Sequence, residues 1–174
     1  MAEGLTPASR IRQHVSVALS SLLSFAPACS STTLLAYPLP GGEHDVAVVE
    51  RGGEHWVLTP QEQYGPFAEV ALDATRISPD GRRLAWAASA GDHWRVYLDG
   101  KPGPPWDGVA ELRWSPTSRG VVYAAKDGAG WRVVTARGIG PRHDALASGS
   151  LRACGDSAAY VALVLFVGAR LLAR

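Results

Sequence analysis

What most limits the fold of this 174-residue chain is an internal repeat. Displaced by 37 positions, Ser78-Pro79 falls on Ser115-Pro116, Trp94-Arg95-Val96 on Trp131-Arg132-Val133, Gly103-Pro104 on Gly140-Pro141, and Asp107 on Asp144. Displaced by 38 the other way, Gly91-Asp92-His93-Trp94 falls on Gly53-Glu54-His55-Trp56, and Gly103-Pro104 on Gly65-Pro66. A weaker match sets Ala159-Tyr160-Val161-Ala162 under Val122-Tyr123-Ala124-Ala125. Unrelated residue types agreeing at one offset mark a unit that cannot bury its apolar face alone and must stack on its neighbours. Copies begin near Leu34, Ala71, Val109 and Gly149, and the last stops after its third strand, which gives about 3.75 copies of a 37-38-residue repeat.

Each copy reads as β throughout. In the second, Arg83 to Ala88 and His93 to Leu98 are short strands, and the small polar loop Ser89-Ala90-Gly91-Asp92 suits a hairpin. Pro79-Asp80-Gly81 supplies a turn in which proline presets φ, aspartate caps, and glycine accepts positive φ. Asp99-Gly100 makes the next turn, the prolines from Pro102 to Pro105 restrict the segment after it to a short edge strand, and Val109 to Trp114 alternates. Four strands in 37 residues is the size of a tightly made propeller blade. Composition agrees: 19 glycines and 12 prolines are turn punctuation, not the make-up of a helical bundle. A net charge of +1 gives no basic face for nucleic acid.

Ser78-Pro79-Asp80-Gly81-Arg82-Arg83-Leu84-Ala85-Trp86 resembles the signature of TolB-type, WD-like β-propeller repeats. Trp94 to Gly100, with Gly103-Pro104-Pro105-Trp106-Asp107, resembles a subtype found in exported bacterial repeat proteins. The resemblance covers about Leu34 to Arg174 and implies protein partners. It is strong in the second copy, good in the third and partial in the first and last. In the last copy Ala153-Cys154-Gly155-Asp156 stands where the Trp-Ser-Pro turn is expected, so that copy is not expected to form a regular blade. The expected fold is therefore all-β, with propeller-type blades of four antiparallel strands over residues 34–174. They would form an open arc or a minimal four-bladed ring, with self-association as a way to complete the propeller.

The first 28 residues read as an address. Arg10, Arg12 and His14 precede the apolar stretch Val15 to Phe25, and small residues lead to Cys29. A positive start, an apolar segment of this length and an A-x-A site describe a secretory signal peptide. Eleven residues rise about 16 Å as a helix, too little to span about 30 Å of hydrocarbon. Ala26-Pro27-Ala28-Cys29 resembles a bacterial lipobox, with Ala26 where leucine is usual. That resemblance implies a lipid on Cys29 and a periplasmic or outer-membrane location, with a short polar linker at residues 29–33. The alternative is cleavage after Ala28 without lipid, which leaves a secreted protein and a free Cys29 thiol. With Cys29 lipidated, Cys154 is left alone and is expected to pack as a small apolar residue; without it, one disulfide is open.

Ala158 to Ala169 is the most apolar run, and its valines, Tyr160 and Phe166 favour strand over membrane tail. An incomplete blade there would leave a sticky edge. Chemistry is thin: the sequence carries no H-E-x-x-H, G-x-S-x-G, P-loop or G-x-G-x-x-G pattern. The pairs Glu54-His55 and Asp92-His93 recur at equivalent positions, but the third copy has Ala129-Gly130 there, so they read as solvated hairpin residues. Trp56, Trp94 and Trp131 share one repeat position, while Tyr37 and Trp114 share a second and Trp86 and Tyr123 a third; such periodic aromatics read as packing between blades. Trp106, in the proline-rich segment, is the candidate surface contact. Taken together the chain is expected to be an exported, membrane-anchored, non-enzymatic binding or scaffold protein of the bacterial cell envelope, without a cofactor. The runner-up is a propeller accessory domain of a hydrolase or carbohydrate-active system.

Overall fold

The computed structural model describes residues 31–38 and 45–163. The segment expected to be a signal peptide, Cys29 and the apolar run beyond Leu163 lie outside the described residues, within which there is no helix. Three four-stranded antiparallel sheets succeed one another along the chain, each a meander of consecutive strands. The first holds β1 (Ser31–Pro38), β2 (Asp45–Arg51), β3 (Glu54–Leu58) and β4 (Gln63–Phe67). The second holds β5 (Glu69–Ile77), β6 (Leu84–Ala90), β7 (His93–Leu98) and β8 (Lys101–Pro102). The third holds β9 (Gly108–Trp114), β10 (Val121–Asp127), β11 (Gly130–Thr135) and β12 (Gly138–His143). The sheet boundaries therefore follow the repeat. The first sheet starts at Ser31, so Ser31–Thr33, expected in a linker, pair instead with Arg51, Glu50 and Val49.

The fourth copy departs from this pattern. β13 (Ala145–Leu146) pairs with β16 (Ala162–Leu163), and β14 (Arg152–Cys154) pairs with β15 (Ser157–Ala159), as two separate two-stranded ribbons. The pairing Leu146↔Ala162 is the counterpart, 37 residues on, of Val109↔Ala125 in the third sheet, so the outer register survives. What changed is the turn. In the third copy β9 and β10 are joined by Ser115 to Gly120, whereas β14 and β15 are joined by only Gly155-Asp156, with Gly155 at φ 60°. The expected irregularity of this copy is explained by that lost Ser-Pro turn. Cys154, expected to pack inside, is an exposed free thiol because it ends β14 at this tight turn.

The turns show why these residues form these strands. The second hairpin loop is Gly91-Asp92 alone, two residues shorter than the expected Ser89 to Asp92, because Ser89 and Ala90 still pair with Trp94 and His93. Asp99 (φ 48°) and Gly100 (φ 78°) form the two-residue turn between β7 and β8, both in the left-handed region that a type I′ turn requires. Between β5 and β6 the Ser78 N–H donates to Arg83 O, and its hydroxyl donates to Asp80 Oδ1 at 2.6 Å while accepting the Arg83 N–H. The third copy rebuilds this turn without aspartate or glycine. Ser115 N–H donates to Gly120 O, its hydroxyl bonds Thr117, and Ser118 takes the left-handed place (φ 60°) of Gly81 (φ 73°).

The Ser78 hydroxyl, and after it the Arg82 backbone N–H, hold the Asp80 carboxyl below its ordinary 3.8. A depressed folded-state value stabilises the fold above the ordinary carboxylate range, and that contribution is lost as pH falls through the depressed value. The same holds for Asp127, held down mainly by Arg132. Asp80→Asn should therefore lose less stability than the wild-type chain between about pH 5 and pH 2, in urea titrations at each pH. Equal losses would mean that the Asp80 carboxylate does not contribute.

Successive sheets pack face to face. β6 is buried on both sides: Leu84, Trp86 and Ala88 pack with Val46, Val48, Val57 and Phe67 of the first sheet, while Ala85 and Ala87 pack with Leu112, Tyr123, Ala125 and Val134 of the third. Large side chains at one repeat position thus press onto the preceding sheet, and the alanines behind them leave room for the next. Val122 and Val133 of the third sheet pack in turn with Leu151 of the fourth copy. Hydrogen bonds cross the same seams at a separation of about one copy. The Tyr37 hydroxyl donates to Thr75 O at 3.2 Å, Trp114 Nε1 to Arg76 O at 3.0 Å, and Asp80 N–H to the Ser118 hydroxyl at 3.1 Å. The Glu111 carboxylate accepts the Gly149 and Leu151 N–H groups at 2.5 and 3.1 Å.

Candidate interaction recesses between the sheets

Where sheets meet on the side of the β7–β8 and β11–β12 turns, a recess opens, and it recurs with the repeat. The first, about 210 Å³, lies between the first and second sheets and includes Thr59, Tyr64, Arg82, Leu84, Trp86 and Asp99. The second, about 350 Å³, lies between the second and third and includes Val96, Leu98, Lys101, Arg119, Val121 and Tyr123. The third, about 260 Å³, lies between the third sheet and the fourth copy and includes Val133, Thr135, Gly138, Gly140, Ala158 and Tyr160. Trp86, Tyr123 and Tyr160 stand 37 residues apart and contribute one aromatic ring to each. In the second and third recesses a repeat-equivalent glycine also lines the wall, Gly103 and Gly140. A Cβ on Gly103 would stand 3.0 Å from Val96 O and 3.8 Å from the Tyr123 hydroxyl, and one on Gly140 3.0 Å from Val133 O and 3.9 Å from the Tyr160 hydroxyl.

Their polar equipment differs. In the first recess Arg83 Nε donates to Asp99 Oδ2 at 2.8 Å, the Leu84 N–H donates to Asp99 Oδ1, and the Arg83 guanidinium lies 5.4 Å from the Trp114 ring centre. Trp86, fully buried, stacks on Tyr97 and tilts against Tyr64, and its Nε1 has no hydrogen-bond partner. The Tyr64 hydroxyl, bonded to the Glu62 carboxylate, is pushed up to about 12. In the second recess burial pushes the Tyr123 hydroxyl up, and the nearby Trp106 indole pulls it partly back. In the third the Tyr160 hydroxyl lies 3.1 Å from His143 Nε2.

The residues singled out from sequence distribute unevenly. Cys29 lies outside the described residues. Trp106, expected as a surface contact, is 8% exposed and belongs to the core between the second and third sheets. The reason is backbone pairing: Trp94 N–H donates to Trp106 O at 2.8 Å and Trp106 N–H to Trp94 O at 2.9 Å, which prolongs the edge of the second sheet past the prolines. The acid–histidine pairs stay apart from one another. His55 Nδ1 meets Ala68 O, and the exposed His93 stands 4.0 Å from Asp107. Among the described residues no group of three or more His, Cys, Asp or Glu is arranged to hold a metal ion. The recesses were not read from the sequence. Their traces there are the repeated aromatic position of Trp86, Tyr123 and Tyr160, the match of Gly103 with Gly140, and the change from Asp99 to Ala136, meaningful once all are known to sit beside a cavity.

Comparison with known proteins finds no matching family, no similar curated protein and no similar solved structure.

Proposed function

We propose that this chain is a non-enzymatic scaffold of the bacterial cell envelope, a propeller-type array of blades exported by its N-terminal segment and held at the membrane by a lipid on Cys29. The observation that carries the blade reading is the packing of successive sheets through the repeat-equivalent rings of Trp86, Tyr123 and Tyr160, with hydrogen bonds that span about one copy across the same seams. Between the second and third sheets the most extensive approach is between their first strands, β5 and β9. At this seam the approach is the one expected if first strands converge on a common axis, as blades of four-stranded sheet do, whereas the first and second sheets meet through β3 against β5 and β4 against β6. Such an array offers rigid walls and exposed turns, which suits holding a protein partner.

The anchor is tested by feeding radiolabelled palmitate to bacteria that express the full chain or its Cys29→Ser variant. Label on the wild type and its complete loss in the variant are the expected results, with the variant moving from the membrane to the soluble fraction. Label that persists in the variant removes Cys29 as the anchor.

A further inference from the structure

The three recesses share walls but not charge, and that difference singles out the second. In the first, the Arg83 charge is taken up by Asp99, which leaves Arg82 as the one other lining cation. In the second, Ala136 stands where Asp99 stands in the first, and no carboxylate is among its lining residues. Two cations, Lys101 and Arg119, lie at its lip, and neither side chain has a hydrogen-bond or ion-pair partner among the described residues. In the third, the lining cation is Arg137 alone, and the aromatic hydroxyl is engaged by His143.

Both cations stand on rigid turns. Lys101 comes directly after the Asp99-Gly100 turn and pairs with Leu98. Arg119 belongs to the Ser115–Gly120 turn, whose backbone is tied to the second sheet by Arg83 Nη1, which donates to Ser118 O at 3.3 Å and Arg119 O at 3.0 Å. Beneath the cations the walls are apolar: Val96 and Leu98 from β7, Val121 from β10 and Val134 from β11. A dry apolar cavity of about 150 Å³ suffices for a benzene-sized guest, so a recess of about 350 Å³ has room for one aromatic ring or branched aliphatic group.

We propose that this second recess binds a compact apolar group that carries a carboxylate. The apolar body lies on Val96, Leu98, Val121 and Val134, and the carboxylate meets Lys101 and Arg119, of which the guanidinium can hold it through two parallel hydrogen bonds. The ligand chemistry is shared by two sources, the C-terminal residue of a partner polypeptide and a free small carboxylic acid. Binding here depends on the recess itself and stands or falls separately from export and lipidation.

The probe is 4-phenylbutyrate, titrated into the full chain while the valine and leucine methyl signals are followed by NMR. Expected are saturable shifts at Val96, Leu98, Val121 and Val134, with a dissociation constant of about a millimolar or tighter. The neutral 4-phenylbutyramide should bind at least about tenfold more weakly, as should 4-phenylbutyrate to the double variant Lys101→Gln, Arg119→Gln. Both side chains are exposed, so that variant should keep the wild-type melting temperature. Ala136→Asp supplies an independent arm, since it returns a carboxylate to the lip and should weaken binding by a similar factor. Equal affinity for acid and amide, unchanged affinity in both variants, or shifts confined to other methyls would overturn the proposal. The sources are separated by a hexapeptide ending in phenylalanine with a free or an amidated C-terminus. Tighter binding of the free-acid peptide than of 4-phenylbutyrate assigns the site to a polypeptide terminus, and weaker binding assigns it to a small acid.

Discussion

Trp86→Ala should destabilise the chain by about 3–5 kcal/mol, the range for deleting a fully buried aromatic side chain. Trp86 has no exposed surface, stacks on Tyr97 with ring centres 5.3 Å apart, and tilts against Tyr64 at 4.9 Å. It is also the largest side chain in the cluster joining the first two sheets, so alanine would leave a void between the rings of Tyr64 and Tyr97. Total stabilities of about 5–15 kcal/mol leave little margin for such a loss. Trp86→Phe sharpens the expectation. It removes volume but also removes an indole N–H buried without a partner, and an unsatisfied buried donor costs about 1–3 kcal/mol. The phenylalanine variant should therefore retain most of the wild-type stability, and the two variants should differ by at least about 2 kcal/mol in urea unfolding. A phenylalanine variant as unstable as the alanine one would mean that the N–H has a partner in solution.

Leu151→Ala is the second large effect, about 2–5 kcal/mol, and it should be felt unevenly along the chain. Leu151 is 2% exposed and packs with Val122 and Val133 of the third sheet, while its N–H is held by Glu111. Among the described residues the fourth copy has only its short ribbons to support itself, so this contact is its main apolar attachment there. In an array where each unit leans on its neighbour, a broken contact frees the unit on the far side first. Amide hydrogen exchange should show residues 145–163 losing protection while β2 and β6 keep theirs. Uniform loss over all four copies would instead mean that the sheets unfold as one cooperative body.

Much of the fold was legible because the repeat and the turns are local facts. Asp99-Gly100 and Pro79-Asp80-Gly81 carry their conformations in their own residue types, and the structure places turns at both. The lost turn of the last copy was visible as a missing Ser-Pro, and it coincides with the switch from a sheet to two ribbons. Trp106 was misplaced because its burial depends on backbone pairing with Trp94, which the prolines around it argue against on composition alone. The recesses were illegible for a different reason. Nothing along the chain says that Lys101 and Arg119 share one lip, since that depends on how a turn of one copy meets a turn of the next.

The ties from Tyr37 to Thr75, from Asp80 to Ser118 and from Glu111 to Gly149 each reach one copy along the chain and no further. A residue so tied makes no demand on anything two copies away. Duplicating or deleting one whole unit would then remake only the seam at which it is inserted or removed, and leave the other seams as they are. A shorter insertion would pull a donor off its acceptor. Length in such a lineage should change in steps of about 37 residues, and gaps between related chains should fall near the sheet-to-sheet joins at Ala68, Asp107 and Asp144.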